Sequence, residues 1–562
     1  MIDLLLLPSA RTIAPELESE FGRIPSGLIP LDGRAALEYI IEPYAERGYT
    51  ALVAAHDAID QLSGFLARRP EFPGQIVDVG ATASLGETIA VALRPFTGLR
   101  HLVINFADTI LPDFVPEGDV VAYADQADIY RWTTFELDAQ ARIGRIIEKE
   151  QDKDPSVAVH VFVGVFAFAD PADFVRELEA ALAAPSSAGI DPFYVAVRAY
   201  VAGRSDRRLL FQAVRGWRDL GHLDTYYASK RAHYLGRRFF NDVSVDARRG
   251  LVRKTSRHVR KFRNEIGWYV HLPKNLAYLA PRVIDYRMDG DEPFLELEFY
   301  GYPTLNDLFL YGNLSAGIWE QILGALEHVL SEFASYTHTP ENPADLHAAM
   351  REMYETKTRE RLAQVDLTGS FAPFGEREIV INGVRCPGVP VVLEQLSETA
   401  ERLGMYQADI FTIVHGDLCL SNILYDRRHG IVRLIDPRGG FGRYDIYGDL
   451  RYDLAKLSHS VLGHYDFIVN GQFTCDITAT GVQLQMHDGA VHRSRRLQFA
   501  ARILGTDAPH VRRVRFIEAL LFLSMTPLHA DRPKAQAAFL ARGLQLYAAV
   551  AGDASLQEYL GA

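Results

Sequence analysis

The stretch 412–457 constrains this chain most: TIVHGDLCLSNILYD, followed after a short turn by VRLIDPRGGFGRYDIYGDLRYDLAKL. An apolar strand, a His-Gly-Asp turn, an asparagine five residues beyond the aspartate and a second strand ending in Ile-Asp leave few architectures open. A hydroxyl that attacks a γ-phosphate needs an acceptor for its proton, and divalent cations must neutralise charge between the β- and γ-phosphates. HGDxxxxN supplies both: Asp417 in a loop as the acceptor, and Asn422 returning to face a metal beside Asp436 at the end of strand 432–435. The competing account is a surface turn followed by a strand-end acid, and it leaves the joint order of loop, strand, IDP, lysine and glutamate unexplained.

These residues resemble the aminoglycoside phosphotransferase and choline kinase family, and the resemblance covers roughly residues 237–560. It implies a two-lobed protein-kinase-like α+β domain, with a small lobe over 237–303 and a helical lobe over 304–562. It also implies ATP and Mg²⁺ as cofactors and a small sugar or amino-alcohol as acceptor. Lys254, in LVRKTS, is similar to the lysine that grips the α- and β-phosphates, and Glu265 to its ion-pair partner. ELEFYGYPTL resembles the hinge, so backbone groups around Glu298, Tyr300 and Tyr302 are expected to hold adenine. Asp449 and Asp453 resemble an acidic pair that anchors the catalytic loop. Acceptor recognition falls to the helical lobe, including the insertion 378–386 and Arg438. Arg257, Arg260, Lys261 and Arg263 read as a solvated helix face, with a phosphate-attracting patch as the alternative. Cys419 reads as filler within the loop.

Local patterns fill in this half. FFNDVSVDARRGLVRKTS reads as two strands around a turn at 247–250, and 294–300 as a third. Ser315 is expected to cap a helix carrying Ile318, Ile322, Leu326, Val329 and Phe333 on one face. Asn382-Gly383 predicts a hairpin turn and 470–472 another. A helix over 225–238 is expected to join the halves.

Residues 1–236 alternate apolar runs with amphipathic stretches, the pattern of a Rossmann-like α/β domain with strands joined by crossover helices in a parallel sheet. Strands are expected at 4–7, 51–54, 76–79, 102–106 and 159–165. One helix closes at Gly48, and another starts at Pro171 with Phe174, Leu178 and Leu182 inward. PSGLIPLDGRAALEYIIEPYAERGYTALVAA resembles the first half of a sugar-phosphate nucleotidylyltransferase. That resemblance implies Asp108 and Asp219 as metal ligands, Lys149 as the lysine that holds the sugar phosphate, and Arg11 as the loop arginine. Gly164 would lie near the sugar and Gly86 near the base. It further implies a second nucleoside triphosphate, CTP, UTP, GTP or TTP. The segment PSARTIAPELESEFG departs from the family's glycine-rich loop, and Ser26 stands where its lysine would be. Asp108 and Asp219 are therefore metal ligands, or strand-end acids in a domain that binds without catalysing.

Taken together, the expectation is a bifunctional enzyme that phosphorylates a small molecule and couples it to a nucleotide, feeding surface-polysaccharide or cell-wall synthesis. The alternatives are a kinase with an inactive nucleotidyltransferase-like binding domain, and a nucleotide-binding pseudoenzyme. A length of 562 residues fits several cores. A net charge of −13 argues against nucleic acid and anionic lipid as partners. Three scattered cysteines argue for a reducing cytoplasm. The run at 4–7 reads as a buried strand and not a signal peptide, and no stretch is long and apolar enough to insert in a membrane.

Overall fold

The computed structural model describes residues 2–69, 72–125, 131–139, 142–149, 160–184, 189–204, 210–234, 241–246, 248–408, 410–478 and 480–552. The chain forms two compact units: Met1–Lys230 with Tyr311–Asn313, and Arg231–Leu310 with Leu314–Ala562. The expected boundary at 236/237 lies outside the described residues.

The first unit is built on a sheet of nine strands among the described residues. Leu4, Leu5, Leu6 and Leu7 have no exposed surface, because helices cover both faces of their strand. That strand, Ile2–Ser9, lies parallel to Thr50–Ala55 on one side and to Leu99–Asn105 on the other. Gly74–Asp78 extends the parallel set beyond Thr50–Ala55. The chain therefore steps outward from Ile2–Ser9 in one direction and then returns to its opposite side. This reversal opens a crevice beyond the carboxyl ends of the two strands that flank it.

The sheet is mixed, where the sequence pattern predicts a parallel one. His160–Phe168 runs antiparallel to Leu99–Asn105, and Val120–Ala124 and Thr134–Leu137 pair antiparallel with it in turn. Ile143–Ile147 and Phe211–Ala213 complete the added strands. An apolar run buried on both faces looks the same in either direction, so its sequence carries no sign of polarity. Residue 159, the expected start of that strand, lies outside the described residues. Val79 and Phe106 fall just past their strands. The helices Ala36–Ala45 and Pro171–Ala183 form as expected, with Asp170 capping the second. The expected joining helix is Leu223–Tyr234, and 235–238 lie outside the described residues.

The second unit begins with an antiparallel sheet in the order Asn241–Asp246, Leu251–Ser256, Phe294–Glu298, Val283–Arg287. The last of these was not anticipated, since its side chains are mostly exposed and show no apolar alternation. The expected turn at 247–250 includes residue 247, outside the described residues. Val259–His271 packs after the sheet, and helices follow, among them Ala316–Ser335, Leu450–Val461, Ala508–Met525 and Pro533–Ala551. Ser315 Oγ caps the first of these at Ile318 N. Asn382 and Gly383 both adopt positive φ, 51° and 79°, the geometry of a tight hairpin turn between Glu378–Ile381 and Val384–Pro387. The expected turn at 470–472 is instead a helix stop. Gly471 at φ 69° lets Gln472 N–H bond back to Phe467 O, and the hairpin itself joins Phe473–Thr478 to Gly481–Met486.

Candidate functional site

In the second unit, the loop after Phe411–Ile413 is fixed almost entirely by backbone bonds. The Asp453 carboxylate, on Leu450–Val461, accepts His415 N–H at 2.6 Å and Gly416 N–H at 2.8 Å. Burial pushes that carboxyl up to about 7, against the pull of the two N–H groups. Gly416 stands at φ 77°, and a Cβ there would meet Arg438 Cβ at 2.8 Å, so only glycine fits. The buried His415 ring accepts Asp417 N–H at Nδ1 and donates from Nε2 to Ile435 O, a neutral tautomer that ties the loop to the end of strand Ile431–Leu434. Burial holds its pKa down at about 4. Asp449 caps the same helix at Arg451 N and binds Tyr354 Oη at 2.7 Å.

This framework sets the chemistry-bearing groups. Asn422 Nδ2 donates to Asp417 O at 2.9 Å and to Asp417 Oδ2 at 3.0 Å, bonds that leave its amide oxygen unused. Lys456 Nζ lies 2.8 Å from Asp417 Oδ1. Burial works to raise the Asp417 carboxyl, but the Lys456 ammonium outweighs it and holds the group below its ordinary value. Lys254 donates to Glu265 Oε1 at 3.0 Å and also pairs with Asp436. Asp436 adopts φ 56°, a left-handed conformation that a non-glycine residue holds at a cost and that clusters at functional sites. A cavity of about 1170 Å³ is lined by Glu265, Asp417, Asn422, Asp436 and Lys456, among others.

The hinge residues are not among its lining. Tyr300 Oη donates to Glu298 Oε2 at 3.1 Å, its ring lies 5.6 Å from that of Tyr302, and Phe299 N–H is committed to Gly250 O. The patch on Val259–His271 divides. Arg260 and Lys261 line the cavity, whereas Arg263 holds Met288 O and Gly290 O. Lys456 was missed from the sequence, and its signal was its place one helical turn after Asp453.

In the first unit, a cavity of about 480 Å³ lies at the carboxyl end of Ile2–Ser9, lined by Arg11, Ser26, Asp108 and Lys149 among others. Arg11 reaches Thr82 O at 3.3 Å, and Ser26 Oγ lies 3.2 Å from Ser9 Oγ. Pairing of Arg218–Asp219 with Thr109–Ile110 brings Asp108 and Asp219 together on either side of Gly221. A Cβ on Gly221 would stand 2.8 Å from Asp108 Oδ2 and 3.2 Å from Asp219 Oδ1. Burial, then the Asp219 charge, push Asp108 up to about 6. Asp219 is already engaged, accepting Gly221 N–H and Thr225 Oγ1–H and pairing with His222.

Gly164 faces Phe106, and Gly86 packs against Phe193 N, which explains both as close approaches of backbone. Neither lines the cavity. Sequence reading missed Asp191, whose carboxylate accepts N–H bonds from Leu85, Gly86 and Phe193 and so caps two helices at the cavity edge.

Among the described residues, no three His, Cys, Asp or Glu side chains cluster as a ready-made metal cage. The donors at both sites are few and are hard oxygens. That suits Mg²⁺, which takes one or two carboxylates and completes its shell with water and substrate phosphate.

No family model and no curated protein matches this chain. Among solved structures, the inositol-1-phosphate CTP transferase from T. maritima is similar at 14% identity and TM-score 0.30, over 40% of this chain and 91% of that one. A thermostable mutant of aminoglycoside phosphotransferase APH(4)-Ia, in a ternary complex with ADP and hygromycin B, is similar at 12% identity and TM-score 0.34, over 56% and 91%. Aminoglycoside-3'-phosphotransferase of type VIII is similar at 16% identity and TM-score 0.30, over 53% and 99%.

Proposed function

We propose that the second unit transfers the γ-phosphate of ATP to a hydroxyl of a small sugar or amino-alcohol. One observation carries this reading: Asp417, bonded to Asn422, shares a cavity with Asp436, which pairs with the Lys254 that Glu265 also holds. Asp417 accepts the hydroxyl proton and orients the attack, and its depressed pKa keeps it ionised for that role. Lys254 positions the α- and β-phosphates, with Glu265 fixing its ammonium. Asn422 and Asp436 would hold Mg²⁺, which supplies charge neutralisation between the β- and γ-phosphates when bound. Backbone around Glu298, Tyr300 and Tyr302 would meet the adenine. ATP consumption against a panel of sugars and amino-alcohols, with Asp417→Asn as control, tests the reading; an acceptor turned over equally by the variant overturns it.

We further propose that the first unit joins the phosphorylated product to CTP, UTP, GTP or TTP with release of pyrophosphate, in the service of surface-polysaccharide or cell-wall synthesis in the cytoplasm. Asp108 and Asp219 would hold the metal, Lys149 the sugar phosphate and Arg11 the nucleotide. The second reading, a nucleotidyltransferase-like unit that binds without catalysing, is favoured by Asp219, whose oxygens already serve Gly221, His222 and Thr225. Pyrophosphate release measured with each triphosphate separates the two.

A further inference from the structure

The cavity of the second unit holds more positive charge than its phosphate-gripping parts account for. Lys357 and Arg361 stand one turn apart on Lys357–Leu362, and Tyr452 and Lys456 one turn apart on Leu450–Val461; all four line the cavity. Lys357 Nζ donates to Tyr452 Oη at 3.0 Å, and Arg438 reaches the same oxygen at 3.5 Å. Contact thus runs from Asp417 to Lys456 and along its helix to Tyr452 and Lys357, a path separate from Lys254 and Asp436.

Among the described residues, Lys261, Lys357, Arg361 and Arg438 form no direct ion pair with a carboxylate, although the Arg438 charge acts on Asp417. Glu352 and Glu360 also line the cavity, and neither is ion-paired to any of these cations. Like charges crowd here. Burial, then Arg361 and Arg438, lower the Lys261 ammonium, and Lys357 is brought down to about 8 by burial with Arg438 and Lys456 also opposing it. Lys357 and Arg361 are half-buried while Lys261 and Arg438 stay exposed, and an oxyanion placed among the four gains charge-assisted bonds to them.

We propose that the acceptor bound in this cavity carries a carboxylate or phosphate group in addition to the hydroxyl that is phosphorylated. The inference rests on the kinase reading and narrows it, favouring a sugar acid or sugar phosphate over an amino-alcohol, whose ammonium would meet repulsion here.

Calorimetry on the full-length protein tests it. Mg·ADP is titrated first. Inorganic phosphate, D-glycerate, glycerol 3-phosphate, glycerol and choline are then titrated onto the ADP-saturated protein. At least one of the three anions should bind saturably, glycerate marking a carboxylate site and the phosphates a phosphate site, while glycerol and choline should not. In the Arg361→Ala/Arg438→Ala double variant, affinity for the anion should fall by about tenfold or more with ADP affinity unchanged, which also shows that the variant is folded. Anion binding that disappears once ADP is bound would assign the cations to the nucleotide and overturn the inference. Absence of anion binding, preference for choline, or equal affinity in the double variant overturns it too. Failure of Mg·ADP itself to bind would instead sink the kinase reading.

Discussion

Asp417 is held by neighbours with different tasks: Asn422 fixes its orientation, His415 its backbone and Lys456 its charge. Replacing it as Asp417→Asn keeps the shape and removes the carboxylate proposed to accept the hydroxyl proton, so turnover should fall by about 10²-fold or more while ADP binding persists, as calorimetry and a coupled assay would show. Lys456→Met tests the charge. Without the ammonium, burial is opposed only by the weaker pull of His415 and Arg438, so the Asp417 pKa rises and the acidic limb of the kcat/KM profile should move to higher pH. A limb that stays in place would mean that Lys456 does not act on Asp417. The pair Asp436→Ala and Lys254→Ala should separate metal from phosphate: the first should raise the Mg²⁺ requirement, and the second should weaken nucleotide binding at saturating Mg²⁺. The loop residues were legible in sequence because they are contiguous. Lys456, Lys357 and Arg361 were not, because helices distant in sequence bring them to one cavity and no local pattern records that meeting.

Helix Leu450–Val461 carries much of this architecture on its buried side, and it carries a weakness there. His459 is buried between Tyr465 and Phe522, with ring centroids at 4.3 and 4.2 Å, and neither ring nitrogen has a hydrogen-bond partner among the described residues. Burial drives its pKa well below the ordinary 6.5. The unfolded chain takes up a proton as pH falls through that value and the folded chain does not, so stability is lost on acidification. His459→Phe preserves the ring contacts and removes the titration. Melting temperature plotted against pH should therefore fall less steeply for the variant, and parallel curves would refute the assignment. At this scale the sequence revealed which runs were strands better than how they paired. Leu4–Leu7 and the apolar segment beginning near His160 are alike in composition, yet one is parallel to both neighbours and the other antiparallel to Leu99–Asn105. Connections decide direction, and these are set by segments without apolar periodicity.

Across the whole molecule, the two proposed reactions can be separated only in the intact chain. Tyr311–Asn313 is grouped with the first unit although it lies within the second in sequence, so a cut after Lys230 would not divide the units cleanly. Asp108→Asn in the full-length protein should abolish pyrophosphate release and leave ATP consumption unchanged; loss of both would show that Asp108 supports the fold rather than a metal. The three thiols have a practical consequence. Burial pushes Cys386 up to about 11, burial with the neighbouring Asp417 charge pushes Cys419 up to about 12, and burial with Asp476 does the same for Cys475. Thiolate is the form that reacts with peroxide and alkylating agents, and at neutral pH almost none is present. Low thiolate content makes these sulfurs poor nucleophiles at neutral pH: an electrophilic fragment screen should return no adduct at Cys419 by peptide mass mapping, even though that sulfur sits two residues from Asp417.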